Sequence, residues 1–284
     1  MKLRELEIGS IVRDTESSQL FLVAAQNHPG YGGTTLLAKH IVEVGCMDSA
    51  EPGETAKPVW QQRSLYGSND YGQSNLHQWL NASDNHWFRQ THLLDTPPED
   101  PYLRYGEVSY SGREGFLAQF SQQFRQALLE VEIPYLRRVE RDLGELTAVK
   151  GKVFIPSRTE LGKGNEHGQE EGRMFPLAYD PTAYKTVPTE QVLAKYGRRI
   201  NPQRPSAAFD APQIYDPKYG WWYWVRTANM GYDFLNRVAS PYGALSYTYA
   251  NNDSVGIRPA LNLDGSLDVV SNGKFQEIFT LRES

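Results

Sequence analysis

Residues 221–263 read WWYWVRTANMGYDFLNRVASPYGALSYTYANNDSVGIRPALNL, and this stretch decides the fold. It contains three β-type runs, WWYWVRT, ALSYTYA and GIRPALNL, separated by segments rich in Asn, Asp, Gly and Ser that have turn chemistry. Within ALSYTYA, Leu245, Tyr247 and Tyr249 alternate with Ala244, Ser246 and Thr248, so the two sets face opposite sides of a strand. Eleven of the chain's 34 aromatic residues fall between Tyr215 and Tyr249, a density that fits either a core or a recognition surface. The neighbours divide the cluster. Trp221, Trp222, Tyr223 and Trp224 form an unbroken apolar run and are assigned to core. The later tyrosines alternate with small polar residues and are assigned to surface.

Upstream, LFLVAAQN (20–27) and TTLLAKHIVEV (34–44) flank the turn HPGYGG and predict a strand pair. SNLHQWLN (74–81) places Leu76, Trp79 and Leu80 at helical spacing behind Ser74 as N-cap. SQQFRQALLEV (121–131) does the same for Phe124, Ala127, Leu128 and Val131 behind Ser121. KVFIPSRTELG (152–162) reads as a buried strand followed by a helical turn, with Ser157 and Glu160 at capping-box spacing. A short helix is predicted within 188–197, and 198–212 reads as a long loop or insertion. GKFQEIFTL supplies a last strand. No repeat and no sharp linker interrupts the chain, so the expectation is one α+β domain over 1–284, with strands near both termini and helices between them.

Composition narrows the function. The 284 residues carry a net charge of −5, which provides no field for gathering nucleic acid phosphates, so no nucleic acid partner is expected. No apolar run is long enough for a membrane span, so no membrane insertion is expected. The start, MKLRELEIGSIVRD, is charged and lacks the apolar core of a secretory signal. The single Cys46 rules out an internal disulfide and a cysteine-rich zinc site, and is expected to be a buried, inert thiol.

The six histidines, His28, His40, His77, His86, His92 and His167, form no H-E-x-x-H or H-x-H pair. HPGYGG and LGKGNEHG lack phosphate-loop spacing. Glu166, Glu170 and Glu171 lie on an expected loop, where spacing fixes no carboxylate geometry. Asn251, Asn252 and Asp253 are the residue types that bind calcium, but they match no loop template and read as a solvated turn. The reading is therefore not an enzyme, with no cofactor and no metal.

The pairing of Trp224-Val225-Arg226-Thr227 with Gly256-Ile257-Arg258-Pro259-Ala260-Leu261-Asn262-Leu263 resembles W-[LV]-R-[ST] followed by G-[VI]-R-P-A-x-N-L. That pattern marks a bacterial and prophage family of unknown function. Its C-terminal part is similar to the C-type-lectin-like fold of the formylglycine-generating-enzyme type, and includes variable proteins diversified by retroelements. NHPGY (27–31), SLYGSNDYGQSNLHQWLN (64–81), GFLAQFSQQFRQALL (115–129) and KVFIPSRTELG (152–162) look like further landmarks.

The resemblance implies twisted antiparallel sheets, with Trp222, Trp224, Arg226, Gly256, Arg258 and Pro259 as scaffold. The two arginines would be buried and would fix loops by charge-assisted hydrogen bonds. Residues 228–255 would form the ligand surface, with Asn229, Tyr232, Asp233, Phe234, Asn236, Tyr242, Tyr247, Tyr249, Asn251, Asn252 and Asp253 as candidate contacts. Codons of the NNY type left by such diversification never encode Lys, Glu, Gln, Trp or Met, and 231–273 contains none of these. Met230 then marks the window's edge.

The leading expectation is a ligand-binding or display protein for a protein or glycan receptor on a cell surface. It would be virion- or particle-associated, or reach a cell surface by assembly, and otherwise be cytoplasmic. The alternatives are an enzyme on the same scaffold acting on polysaccharide or protein, and a structural phage or assembly protein with 228–255 buried between subunits.

Overall fold

The computed structural model of the chain describes residues 1–53, 61–140, 143–166, 168–181, 183, 186–196, 222–239, 245–274 and 277–282. Strands β1 (Ile11–Arg13), β2 (Leu20–His28) and β3 (Gly32–Ala38) come first, followed by the two-residue β4 (Glu43–Val44). The helices α1 (Arg63–Tyr66), α2 (Asn75–Leu80) and α3 (Gln122–Ala127) come next. A long hairpin of β5 (Val131–Glu140) and β6 (Leu143–Gly151) leads to β7 (Val153–Phe154) and helix α4 (Glu190–Tyr196). The chain then runs through β8 (Tyr223–Ala228), β9 (Leu235–Ala239), β10 (Leu245–Tyr249), β11 (Gly256–Ile257), β12 (Ala260–Leu263), β13 (Val269–Ser271) and β14 (Ile278–Leu281). This is an α+β protein with more sheet than helix, and its helices lie between the terminal sets of strands.

The strands form a seven-stranded sheet, β13-β14-β1-β2-β3-β12-β7, and a five-stranded sheet, β10-β9-β8-β11-β4. The hairpin β5-β6 is a separate ribbon. Pairing is mainly antiparallel, but the expectation of antiparallel sheets needs correction at two places. β1 runs parallel to β14, and β8 runs parallel to β11. Neither pair is joined by a tight turn: the first brings the two ends of the chain together, and the β9–β10 hairpin lies between the members of the second.

Two helix caps form as read: Ser74 Oγ accepts from the His77 amide and Ser121 Oγ from the Phe124 amide, both at 3.2 Å. The capping box is also present: the Ser157 amide donates to Glu160 Oε2 (3.0 Å) and the Glu160 amide to Ser157 Oγ (3.1 Å). Two boundaries differ from the sequence reading. The helix expected to continue to Val131 ends at Ala127, because Leu128 is extended and bridges to Leu263 while the Leu129 amide donates to the Asn262 carbonyl. The run 34–44 divides after Ala38, so its first part joins the large sheet and Glu43–Val44 joins the small one. Residues 39–42 thus carry the chain between the sheets.

A continuous core packs the two sheets together, drawing on residues from Leu3 to Leu281. Tyr223 and Trp224 are fully buried, and Trp222 is half-buried against the core. Trp221 lies outside the described residues. Cys46 is fully buried, and burial pushes its thiol pKa up. Among the described residues, no helix is long and apolar enough to cross a membrane.

Candidate functional site

β8 is the middle strand of the five-stranded sheet, and all six of its residues are buried. Arg226 therefore projects into the interior, where a guanidinium is tolerated only if its donors are satisfied. It makes six hydrogen bonds: Nε to the Pro134 carbonyl, Nη1 to the Ile155 carbonyl and Glu160 Oε2, and Nη2 to Tyr31 OH, Glu160 Oε1 and the Glu171 carbonyl. The Glu160 contacts, at 2.7 and 2.8 Å, are bidentate. Burial alone would lower the Arg226 pKa, but Glu160 holds it above the ordinary guanidinium range.

Glu171 accepts from the Leu136 amide (2.8 Å) and from Thr227 Oγ1, while its burial raises its pKa. Five segments thus converge on one cation: the β2–β3 turn, β5, the 155–160 turn, the 171 loop and β8. Arg258, also buried, donates to the carbonyls of Ala38 (2.8 Å) and Ala183 (2.8 Å) and lies 5.4 Å from the Tyr223 ring centroid. The Pro259 carbonyl accepts from the Ala38 amide. A Cβ on Gly256 would meet Ile41 and the Trp222 carbonyl at 2.8 Å, so only glycine fits there. Both arginines are buried and donate to backbone carbonyls of segments distant in sequence.

At the opposite edge of this sheet, β9 and β10 carry a groove of about 360 Å³. It is lined by Gln62 and Tyr66 from the α1 region, and by Tyr232, Phe234, Leu235, Tyr247, Thr248 and Tyr249. In the β9–β10 register, Leu235 faces Tyr249 and Arg237 faces Tyr247, so these four side chains share one face. The inner rings form a cluster: the Tyr66 centroid lies 4.2 Å from Tyr249 and 5.1 Å from Phe234, and the Phe234 and Tyr249 rings are nearly parallel, at 8°.

The Arg104 guanidinium carbon lies 3.8 Å from the Tyr249 centroid. Two groups so close to one ring centre must occupy opposite faces, so Tyr249 is sandwiched between Tyr66 and Arg104. Tyr232 (40% exposed) and Tyr247 (54%) stand at the rim, Tyr232 with its centroid 5.4 Å from Phe234. Tyr247 is backed by Arg237 at 5.6 Å, and Arg237 in turn pairs with Glu166 at 2.6 Å. Glu166 also pairs with Arg158. Although burial would raise the Glu166 pKa, the two arginines hold it below the usual carboxylate range.

Several of the expected surface contacts are in fact interior. Asn229, Phe234, Asn236, Asn251, Asn252 and Asp253 are all buried. The Asp253 carboxylate accepts from the backbone amides of Tyr105 (3.0 Å), Glu107 (2.8 Å) and Val108 (2.9 Å), so it closes a loop instead of meeting a ligand. Asn251 donates from Nδ2 to the Leu65 carbonyl, and its own amide donates to the Tyr66 carbonyl, which fastens α1 to the end of β10. Asn252 Oδ1 accepts from the Ser254 amide and hydroxyl, forming a local turn. Asn229 Oδ1 accepts from the Gly231 amide.

Asn236 is fully buried in β9, and neither of its amide atoms has a hydrogen-bond partner among the described residues. Phe234 forms part of the groove wall from within. Asp233 is half-buried, with Oδ1 accepting from the Gln62 amide (3.2 Å). Tyr242 and His167 lie outside the described residues. The polar composition of these turns was legible, but the N–H donors that saturate their side chains come from segments distant in sequence.

Within 228–255, Leu235 and Thr248 also line the groove, and three contributors outside that window were missed: Gln62, Tyr66 and Asn69. Asn69 Nδ2 donates to the carbonyls of Asn229 (3.2 Å), Tyr232 (2.7 Å) and Leu235 (3.1 Å), and its amide donates to the Asp233 carbonyl (2.8 Å). This one side chain shapes the loop that presents Tyr232. The only sequence signal was the membership of residues 66 and 69 in the 64–81 landmark stretch.

The fold and site together define an α+β protein in which a buried-arginine scaffold supports an aromatic groove. The chain belongs to the family DUF6273, a domain of unknown function, whose profile matches residues 32–265. No curated protein and no solved structure matches the chain.

Proposed function

We propose that this is a ligand-binding display protein whose binding site is the aromatic groove of β9, β10 and α1, offered to a protein or glycan receptor on a cell surface. The observation that carries the reading is the division of the groove's aromatics. A packed floor of Tyr66, Phe234 and Tyr249 supports two exposed rims, Tyr232 and Tyr247. Rigid tyrosines over a fixed floor give contact area at low entropic cost. Among the described residues the lining holds hydroxyl, amide and apolar side chains, with no carboxylate, histidine or cysteine, which favours binding over catalysis.

A C-type-lectin-like architecture accords with the adjacency of β1 and β14 and with a long C-terminal segment carrying the site. Diversification, if it operates on this chain, is confined by burial to rim positions such as Tyr232, Asp233, Tyr247 and Thr248. Attachment to a virion, particle or cell surface remains the setting in which such a groove would act.

The test is attachment of the labelled protein to bacterial cells, comparing the native chain with a Tyr232→Ala/Tyr247→Ala variant. Binding that vanishes in the variant, with the melting temperature held, supports the reading. Equal binding by the two sinks it.

A further inference from the structure

We infer that the groove takes an uncharged saccharide ring, seated between Tyr232 and Tyr247; this rests on the groove being the ligand site. Among the described residues, the lining offers π faces, two aliphatic or amide side chains (Leu235 and Gln62) and hydroxyls, but no formal charge of either sign from Asp, Glu, Lys, Arg or His. The nearest cations, Arg104 and Arg237, each already pack against a tyrosine ring, and Asp233 accepts from the Gln62 amide.

The Arg104 guanidinium is stacked on Tyr249 at 3.8 Å, outside the lining, and Arg237 lies 5.6 Å from the Tyr247 centroid. Two of the lining rings, Tyr247 and Tyr249, therefore already face resident cations, which weakens the hold of these rings on a quaternary ammonium or lysine side chain. An anionic ligand fares no better. Arg237 is engaged by Glu166 through Nε (3.1 Å) and Nη2 (2.6 Å), and Arg104 is screened from the groove by the Tyr249 ring it covers.

What remains is a neutral ligand with apolar faces and polar edges. A pyranose has this form, with C–H faces to lie against Tyr232 and Tyr247, and hydroxyls to reach Gln62, Thr248 and the tyrosine hydroxyls. The groove's volume, about 360 Å³, is at the small end of the range for small-molecule sites, about 300–1,000 Å³. Recognition of a protein face would instead spread over roughly 800 Å² per partner.

The experiment uses the full chain against three immobilised panels: neutral hexose and N-acetylhexosamine oligosaccharides, uronate-containing oligosaccharides, and oligosaccharides of free amino sugars. Attachment to bacterial cells, with and without periodate oxidation of their surface diols, is measured in parallel. The expected result is saturable binding to a neutral member, weakened about tenfold by either Tyr232→Ala or Tyr247→Ala. That binding should be nearly unchanged between about 50 and 300 mM NaCl.

Preference for the uronate or amino panel, or neutral binding indifferent to both tyrosines, overturns the saccharide assignment. So does tyrosine-dependent cell attachment that survives periodate, which would mean the groove reads a protein and leave the display reading standing. If no panel and no cell surface is bound in a tyrosine-dependent way, both the assignment and the display reading fail.

Discussion

The interior around Arg226 and the groove around Tyr247 lie at the middle and the edge of the same five-stranded sheet, yet they treat polar and aromatic side chains in opposite ways. Around Arg226 every donor is matched, and the matching acceptors come from four distant segments. Removing one member leaves several groups buried and unpaired. At the groove rim, Tyr232 and Tyr247 contribute little that holds the chain together and much that a ligand could touch. Aromatic density alone does not separate structure from recognition. The separation lies in which ring faces are already occupied, and Tyr249, covered on both sides, belongs with the structural set.

The sharpest way to break this contrast is Arg226→Ala. It strands Glu160 and should cost about 3–5 kcal/mol in urea unfolding; Arg226→Lys should rescue little, since an ammonium cannot reproduce the fork. A second interior probe is pH. Burial pushes the His77 pKa down to about 4, against an unfolded value of about 6.5. The unfolded chain binds the extra proton between those values, so stability should fall on acidification from pH 6.5 to 4, by up to about 3 kcal/mol, and His77 should contribute no further slope below that. A His77→Gln variant measured across the same window should lose this slope.

Asn69→Ala, which removes the donor shared by three carbonyls, should cost about 2 kcal/mol. It should also speed amide exchange in 229–235 more than elsewhere. Tyr249→Ala should cost about 1–2 kcal/mol, because it opens the stack between Tyr66 and Arg104. The smallest effect is expected at the rim: Tyr232→Ala and Tyr247→Ala should each stay within about 0.5 kcal/mol of the native chain. A large loss at either rim position would erase the distinction between the two regions.

Much of the scaffold was legible because its signals are local. Ser74, Ser121 and the Ser157–Glu160 pair cap as their spacing predicts. The strand runs on either side of HPGYGG pair as read, whereas the burial of Arg226 was implied by the resemblance and not by the local pattern.

The site was only half legible, for a physical reason. An Asn-Asn-Asp turn has the same composition whether its side chains face solvent or close loops, and the donors that decide the matter for Asp253 sit at 105–108. Likewise, nothing in residues 228–255 announces that Tyr66 and Gln62 complete the groove, because α1 reaches it through the Asn251 and Asn69 contacts. The end of α3 was lost to a similar cause: pairing at Leu263 outcompeted the helical period at Leu128.

The central claim is that recognition and stability are carried by different tyrosines of one cluster, and it is tested most directly by the binding isotherm of the Tyr232→Ala/Tyr247→Ala variant, taken on a sample whose melting temperature matches that of the native chain. The expected result is an unaltered fold with binding lost. Retained binding at an unaltered melting temperature would contradict it.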